Sequence, residues 1–334
     1  MKFSNIDFDT IIKVGNSAYF YNDIFNVNWL LGRYCNYSCS YCWDYAHTKV
    51  KDHRPIGVIK EAIDNIFSQA RNRGYRSFSF SFSGGEPTLH PNFLEIVDYI
   101  STQKTMVNLT TNCSQKFSFL EKLVQKPVLL SITASFHPEF SVRETFLKKV
   151  RYLIDAGVYL QINVVLLHDN FDEMWDHAQY FYDQGITVQA KMEVEYKDNT
   201  TIEKPYMDDE LDKIKNGLPK FDEKKYSFMM IDKQRKVHMV DNVERIVGLG
   251  FNRFKGWTCE AGYRSIVIHE PSGLIKRHYL CHDEPIGHIE RGFMLYKEPR
   301  KCITEICGSC ADCKIPKYKE DECYSAHYRG SFKQ

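Results

Sequence analysis

Along residues 27–195, stretches in which apolar residues alternate with polar ones are interleaved with stretches of helical period. Ser77-Phe78-Ser79-Phe80-Ser81-Phe82-Ser83 alternates strictly, so its serines and phenylalanines belong to opposite faces of a strand. Ile59, Ile63, Ile66 and Phe67 recur at helical spacing within 56–73, and Gly74 ends that run. The same reading predicts strands over 27–33, 77–83, 106–111, 128–135, 158–166 and 186–195. Helices are predicted over 56–73, 91–101, 117–124, 142–155 and 172–184. Six strand units in that order predict an α/β fold, an open, partial (β/α)6 TIM-like barrel with a parallel sheet.

The face opposite the apolar one is small and polar: Asn108, Thr110 and Asn112; Ser131, Thr133 and Ser135; Tyr159, Gln161 and Asn163; Gln189, Lys191 and Glu193. Parallel sheets are usually covered on both sides, so such a face predicts a lumen holding ligand and water. A closed eight-stranded barrel would fill that space with branched apolar layers.

The flanks read differently. Residues 1–26 hold two strand-like runs, Ile11–Val14 and Ala18–Tyr21, expected to form a hairpin over one end of the barrel. Residues 196–230 are charged and weakly periodic, a linker or lid with one helix near Asp208–Lys215. In 231–334 a strand over Lys236–Val240 precedes a hairpin from Ser265–His269 through Pro271-Ser272-Gly273 into Leu274–Tyr279. This region is expected to be a separate module.

Lys and Arg total 44 against 43 Asp and Glu, which gives no global basic field to attract nucleic acid. The apolar runs are too short to span a membrane, and a cytoplasmic protein is expected. Eleven cysteines in such a chain argue for metal ligation over disulfides. Three of them, Cys35, Cys39 and Cys42, fall within eight residues, with no further Cys or His in the next four. Thiolates are the ligands iron–sulfur clusters take, and three of them leave one iron open. Some forty residues on, Gly84-Gly85-Glu86-Pro87 stands where the second strand ends, the end at which barrels build their sites.

The CxxxCxxC triad, with Tyr41 before its last Cys, together with Gly84-Gly85-Glu86-Pro87 resembles the radical S-adenosylmethionine (radical SAM) superfamily. The resemblance implies a [4Fe–4S] cluster on Cys35, Cys39 and Cys42 whose open iron chelates S-adenosylmethionine and cleaves it reductively to a 5′-deoxyadenosyl radical. It further implies cofactor contacts from Gly84, Gly85 and Glu86 and, by position, from Tyr41, Asn112, Ser135 and Asn163. A reductant such as flavodoxin or ferredoxin is the implied electron source. Lys191, Glu193 and His137, at or near strand ends, are candidate catalytic acids or bases. A zinc knuckle, or scattered core cysteines, is the alternative for the triad.

The C-terminal order of a Cys, a Gly-bearing hairpin, another Cys and then a cysteine cluster resembles the SPASM/twitch extensions of that superfamily. Seven residues separate Gly273 from Cys281, with His278 nearer the usual position, and the later run is compressed. One auxiliary cluster is therefore expected, held by Cys259, Cys281 and two of Cys302, Cys307, Cys310 and Cys313. A structural zinc on the same thiols stays open. The expected function is hydrogen-atom abstraction from a small metabolite, in oxidation, epimerisation or bond formation. The alternatives are a maturase modifying a ribosomal peptide and, in another class, a non-enzymatic iron–sulfur or zinc redox sensor.

Overall fold

The computed structural model describes residues 6–16, 24–43, 47–197, 200–218, 228–240, 246, 250–279, 281, 284–307 and 314–319. After β1 (Ile11–Asn16), strands and helices alternate: β2 (Ile24–Leu30), α1 (Ile56–Arg71), β3 (Ser77–Ser83), α2 (Phe93–Ile100), β4 (Thr105–Thr111), α3 (Phe117–Val124), β5 (Leu129–Phe136), α4 (Arg143–Asp155), β6 (Tyr159–Leu166), α5 (Phe171–Asp183) and β7 (Val188–Met192). Strands β2 to β7 pair in parallel and in sequence order, the open barrel that the alternating periods predict.

The phenylalanines of β3 face the helices. Phe78 and Phe80 pack on Phe67 of α1 with ring centroids 4.5 and 5.9 Å apart, and Phe82 meets Phe93 of α2 at 5.7 Å. All three are buried, in a core continuous with Ile59, Ile63 and Ile66. On the other face polar side chains join from strand to strand. Asn108 donates to the Ser79 and Ser81 hydroxyls at 2.8 and 3.3 Å, and Gln161 to Thr133 and Gln189, both at 3.1 Å. Because the strands are in register, one polar residue per strand per layer suffices to build these rows.

The remaining elements are β8 (Val194–Lys197), β9 (Thr200–Glu203), α6 (Asp208–Asn216), β10 (Phe228–Asp232), β11 (Val237–Val240), β12 (Thr258–Cys259), β13 (Ser265–His269), β14 (Leu274–Lys276), β15 (Gly287–His288), β16 (Gly292–Phe293), β17 (Arg300–Lys301) and β18 (Lys317–Tyr318). They depart from the expected division of the chain in three ways. Strand β1 is flanked by β10 and β18, so it belongs to the C-terminal sheet instead of covering the barrel; residues 18–21 lie outside the described residues. Strand β13 pairs in parallel with β2, and with β14, β15 and β16 it extends the barrel sheet to ten strands. Residues 231–334 are thus shared between the barrel sheet and a second sheet, and the barrel itself begins at Ile24.

The sixth predicted strand is also shorter than expected. It breaks at Glu193, whose backbone N–H donates to the Tyr206 hydroxyl at 2.7 Å, and β8 then pairs antiparallel with β9. A second, smaller core forms around Ile11, Val14, Phe228, Met230 and Phe254, and it includes Cys259, Cys302 and Cys307.

Candidate functional site

The cysteine loop leaves the carboxyl end of β2 and lies against the turn that leaves β3. Leu31 N–H donates to Ser83 O at 2.8 Å, Gly85 N–H to Gly32 O at 3.2 Å and Glu86 N–H to Tyr34 O at 2.8 Å. A Cβ on Gly84 would stand 2.4 Å from Gly32 O, and one on Gly85 would stand 2.3 and 2.4 Å from the carbonyls of Tyr34 and Arg33. Gly84 also has φ +130°, which side chains rarely adopt. The glycine pair therefore makes room for the backbone that presents Cys35, a closer cause than room for a cofactor.

Glu86 is buried, and its carboxylate is taken up by the protein. One oxygen accepts from Thr88 N–H (3.1 Å), the Thr88 hydroxyl (2.5 Å) and the Thr111 hydroxyl (2.7 Å), and the other from Asn112 N–H (2.7 Å). Burial pushes its acidity down, raising the pKa, while these donors pull the other way. The side chain clamps the ends of β3 and β4 together. Asn112 in turn reaches the cysteine loop, donating to Asn36 Oδ1 at 3.1 Å and lying 3.9 Å from Cys35 Sγ.

Residues 137–141, after β5, prop the loop from the other side. Ser40 N–H and hydroxyl donate to Glu139, Tyr37 bonds Ser141 at 3.0 Å, and the Tyr41 hydroxyl meets His137 Nδ1 at 2.7 Å. Burial pushes the His137 pKa down to about 4, so the imidazole shares this hydrogen bond uncharged near pH 7. That engagement makes His137, a candidate acid or base by its place in the sequence, a support of the loop in this structure. Trp43 ties the loop to the β7–β8 break through Val194 O at 2.9 Å.

The three thiols stand together. Cys39 is pushed up to about 12 by burial first, then by Glu139 and by its neighbours Cys42 and Cys35. Burial also raises Cys35, and the Tyr37 N–H, 3.4 Å from its sulfur, opposes that. Crowded, partly buried thiols fit a cationic centre that takes them as thiolates. Deeper along the rim, Ser135 is half-buried, while Asn163 is buried with its Oδ1 unpartnered, a carbonyl oxygen able to accept from a ligand. Lys191 lies in register with Val165, on the polar face. Glu193 is engaged by His168, through its N–H at 3.1 Å and Nδ1 at 2.8 Å.

Some lumen residues lay outside the sequence reading. Asn26 and Asn28 continue the polar face onto β2, and the alternation Phe25-Asn26-Val27-Asn28-Trp29 carries that signal. Asn28 Nδ2 lies 3.2 Å from His278 Nε2, and Ser83 Oγ 3.3 Å from the Tyr279 hydroxyl, so the end of the C-terminal hairpin closes part of the lumen. His278 also lines a second, small cavity together with Cys259, Cys281, Cys302, Cys307, Arg277 and Lys317. Four thiols complete the ligand set of a cube. The structure brings Cys302 and Cys307 to this pocket; Cys310 and Cys313 lie outside the described residues. Cys113 is buried in the barrel core.

His53, His90 and Glu270 also bring ligand-type atoms within 4.8 Å of one another. Asn92 N–H, however, donates to His90 Nδ1 at 3.1 Å, which leaves the ring proton on Nε2, 3.8 Å from Glu270 Oε1. A metal needs the lone pair of that nitrogen, so this cluster is a polar junction between the barrel and the β13–β14 turn.

Residues 29–181 match the family model of the Radical SAM superfamily. The chain is 23% identical over 256 residues to the antilisterial bacteriocin subtilosin biosynthesis protein AlbA of Bacillus subtilis (strain 168), a match covering 72% of this chain and 52% of AlbA. It is 34% identical over 90 residues to an S-adenosylmethionine-dependent nucleotide dehydratase of Selenomonas ruminantium, covering 27% of this chain and 30% of that protein. The chain thus spans about half the length of AlbA and less of the dehydratase. Native anSMEcpe with bound AdoMet superposes with a TM-score of 0.55 at 17% identity, covering 81% of this chain and 79% of that one. Streptococcus suis SuiB bound to precursor peptide SuiA gives 0.53 at 17%, covering 81% and 63%. At these identities the structural likeness is one of fold.

Proposed function

We infer that this chain, whose barrel is that of the radical SAM superfamily, is an enzyme that cleaves S-adenosylmethionine reductively and takes a hydrogen atom from its substrate with the radical so formed. The observation that carries the reading is the packing of the three-thiol loop on Gly84-Gly85-Glu86 at the mouth of a polar lumen. Cys35, Cys39 and Cys42 would hold a [4Fe–4S] cluster. Bound there, cluster and S-adenosylmethionine supply the radical chemistry, and the chain supplies position and shelter. The backbone at Tyr41 and Gly84–Glu86 and the side chains of Asn112, Ser135 and Asn163 would meet the cofactor. Asn163 Oδ1, buried and unpartnered, suits an amino or hydroxyl donor. Glu139, Ser141 and His137 keep the loop in register with the strand ends.

Cys259, Cys281, Cys302 and Cys307 would hold one auxiliary cluster in a SPASM/twitch-like module. A centre with all four protein ligands has no position for substrate, which favours an electron-transfer role. His278 touches both that pocket and Asn28 of the lumen, a short wall between the two. Net two-electron oxidation of the substrate is therefore the favoured outcome, and a flavodoxin or ferredoxin would supply the priming electron.

A peptide is the favoured substrate. The AlbA match covers 72% of the chain and so must extend past the barrel, and the similar fold of SuiB was solved with its precursor peptide. The small-metabolite reading draws on the nucleotide dehydratase, whose match covers 27% of the chain. The test is anaerobic reconstitution with S-adenosylmethionine and dithionite, reading 5′-deoxyadenosine by mass spectrometry. Short peptides encoded beside the gene should raise the yield and return lighter by two hydrogens. A rise with nucleotides or sugars alone would move the substrate to the small-molecule class.

A further inference from the structure

We propose that Lys49 is a positioning residue for the cluster that the cysteine loop would hold. It fixes the peptide groups from Cys35 to Tyr37 from outside the loop, adds a positive charge beside the first ligand, and so raises the potential at which the cluster accepts an electron from its donor. The inference rests on the reading of Cys35, Cys39 and Cys42 as cluster ligands.

Local pairing puts the residue in place. Thr48 N–H donates to Arg33 O at 2.8 Å and Cys35 N–H to Thr48 O at 3.1 Å, so the chain returning from the cysteine loop runs beside its entry, bridged at Tyr34 and Thr48. Lys49 is the next residue, and its Nζ donates to Cys35 O at 3.0 Å and to Tyr37 O at 2.8 Å. Between those two carbonyls, the Tyr37 N–H donates to Cys35 Sγ at 3.4 Å. The backbone is thereby sorted, with two carbonyls tied to the ammonium and an amide turned to the sulfur.

Residues 35–37 belong to no helix or strand, so no regular hydrogen-bond ladder fixes these carbonyls. A lysine ordinarily keeps its ammonium in water, yet this exposed one gives two of its three donors to the ligand loop. Water could serve the same carbonyls; it supplies neither a fixed geometry nor a fixed charge. Glu86 and Lys49 act on Cys35 with opposite sign, so the lysine also offsets the nearby carboxylate. The potential of an iron–sulfur cluster follows the charge around it and the hydrogen bonds to its sulfurs. A cation and an N–H···S bond both favour the electron-loaded state.

The test uses the full chain with Cys259, Cys281, Cys302 and Cys307 changed to Ala, so that only the loop carries iron, in a potentiometric titration followed by EPR. Lys49→Met should shift the midpoint to a more negative potential and move the g-values of the reduced cluster. Lys49→Gln, read independently, should act in the same direction, and Lys49→Arg, which keeps the charge and donors for both carbonyls, should leave both readings in place. Unfolding of the metal-free chains should be alike, because the side chain is exposed. Unchanged midpoints in variants that keep their iron would overturn the proposal, and so would iron loss without a change of midpoint, the mark of a purely structural part. A parent chain without iron would also overturn it, by removing the ligand reading on which it rests, and its metal content separates that failure from the others.

Discussion

Gly85 lacks a side chain because the carbonyls of Arg33 and Tyr34 occupy the space one would take. Gly85→Val should therefore strip iron from the cysteine loop and abolish 5′-deoxyadenosine formation together; full iron at that site in the variant would contradict the packing argument. The sequence alone suggested room for the cofactor, since a glycine pair at a strand end does not say which neighbour approaches. Glu86 tests the clamp. Glu86→Gln puts an amide NH2 against either Thr88 N–H or Asn112 N–H, leaving a buried donor without an acceptor, at a cost of about 1–3 kcal/mol. Thermal or denaturant unfolding of the metal-free protein reads this, and an unchanged midpoint would show that the carboxylate is dispensable. The triad of thiols was legible because its spacing is local. Asn28 with His278, 250 residues apart, and Lys317 with Cys259 were not, because nothing local marks such partners.

Strands announce themselves by alternation, and Ser77–Ser83 does so with one residue type per face. On that strand Phe80→Ala should cost about 3–5 kcal/mol, as for a fully buried phenylalanine, while Ser81→Ala on the lumen side should change stability far less. Chemical denaturation of the two variants compares them directly, and equal losses would contradict the two-faced sheet. Order along the chain predicted the parallel neighbours β2 to β7, since crossover units place successive strands side by side. It could not predict that β13 pairs with β2, because a hairpin motif specifies its own two strands and says nothing of the edge it docks on. The same holds for β1, drawn into the sheet of β10 and β18.

For the molecule as a whole, these pairings join what the composition suggested were separate modules. A chain ending before Ser265 loses the cover on the β2 edge and the side chains that reach Asn28, so it should be insoluble or unfolded; a stable, soluble barrel fragment would contradict the shared sheet. The metal sites, in contrast, should be separable. With Cys35, Cys39 and Cys42 changed to Ala, the protein should stay brown with about four irons per chain, one cube's worth; colourless protein holding zinc would leave the second site structural and a redox-neutral reaction the better reading. The account's central claim is that the cysteine loop holds a cluster with an iron open to S-adenosylmethionine. Low-temperature EPR of the reconstituted, dithionite-reduced protein, with the second site's cysteines replaced, tests it most directly. Adding S-adenosylmethionine should shift the g-values of the reduced cluster, whereas an identical spectrum with and without it would contradict an open iron at Cys35, Cys39 and Cys42.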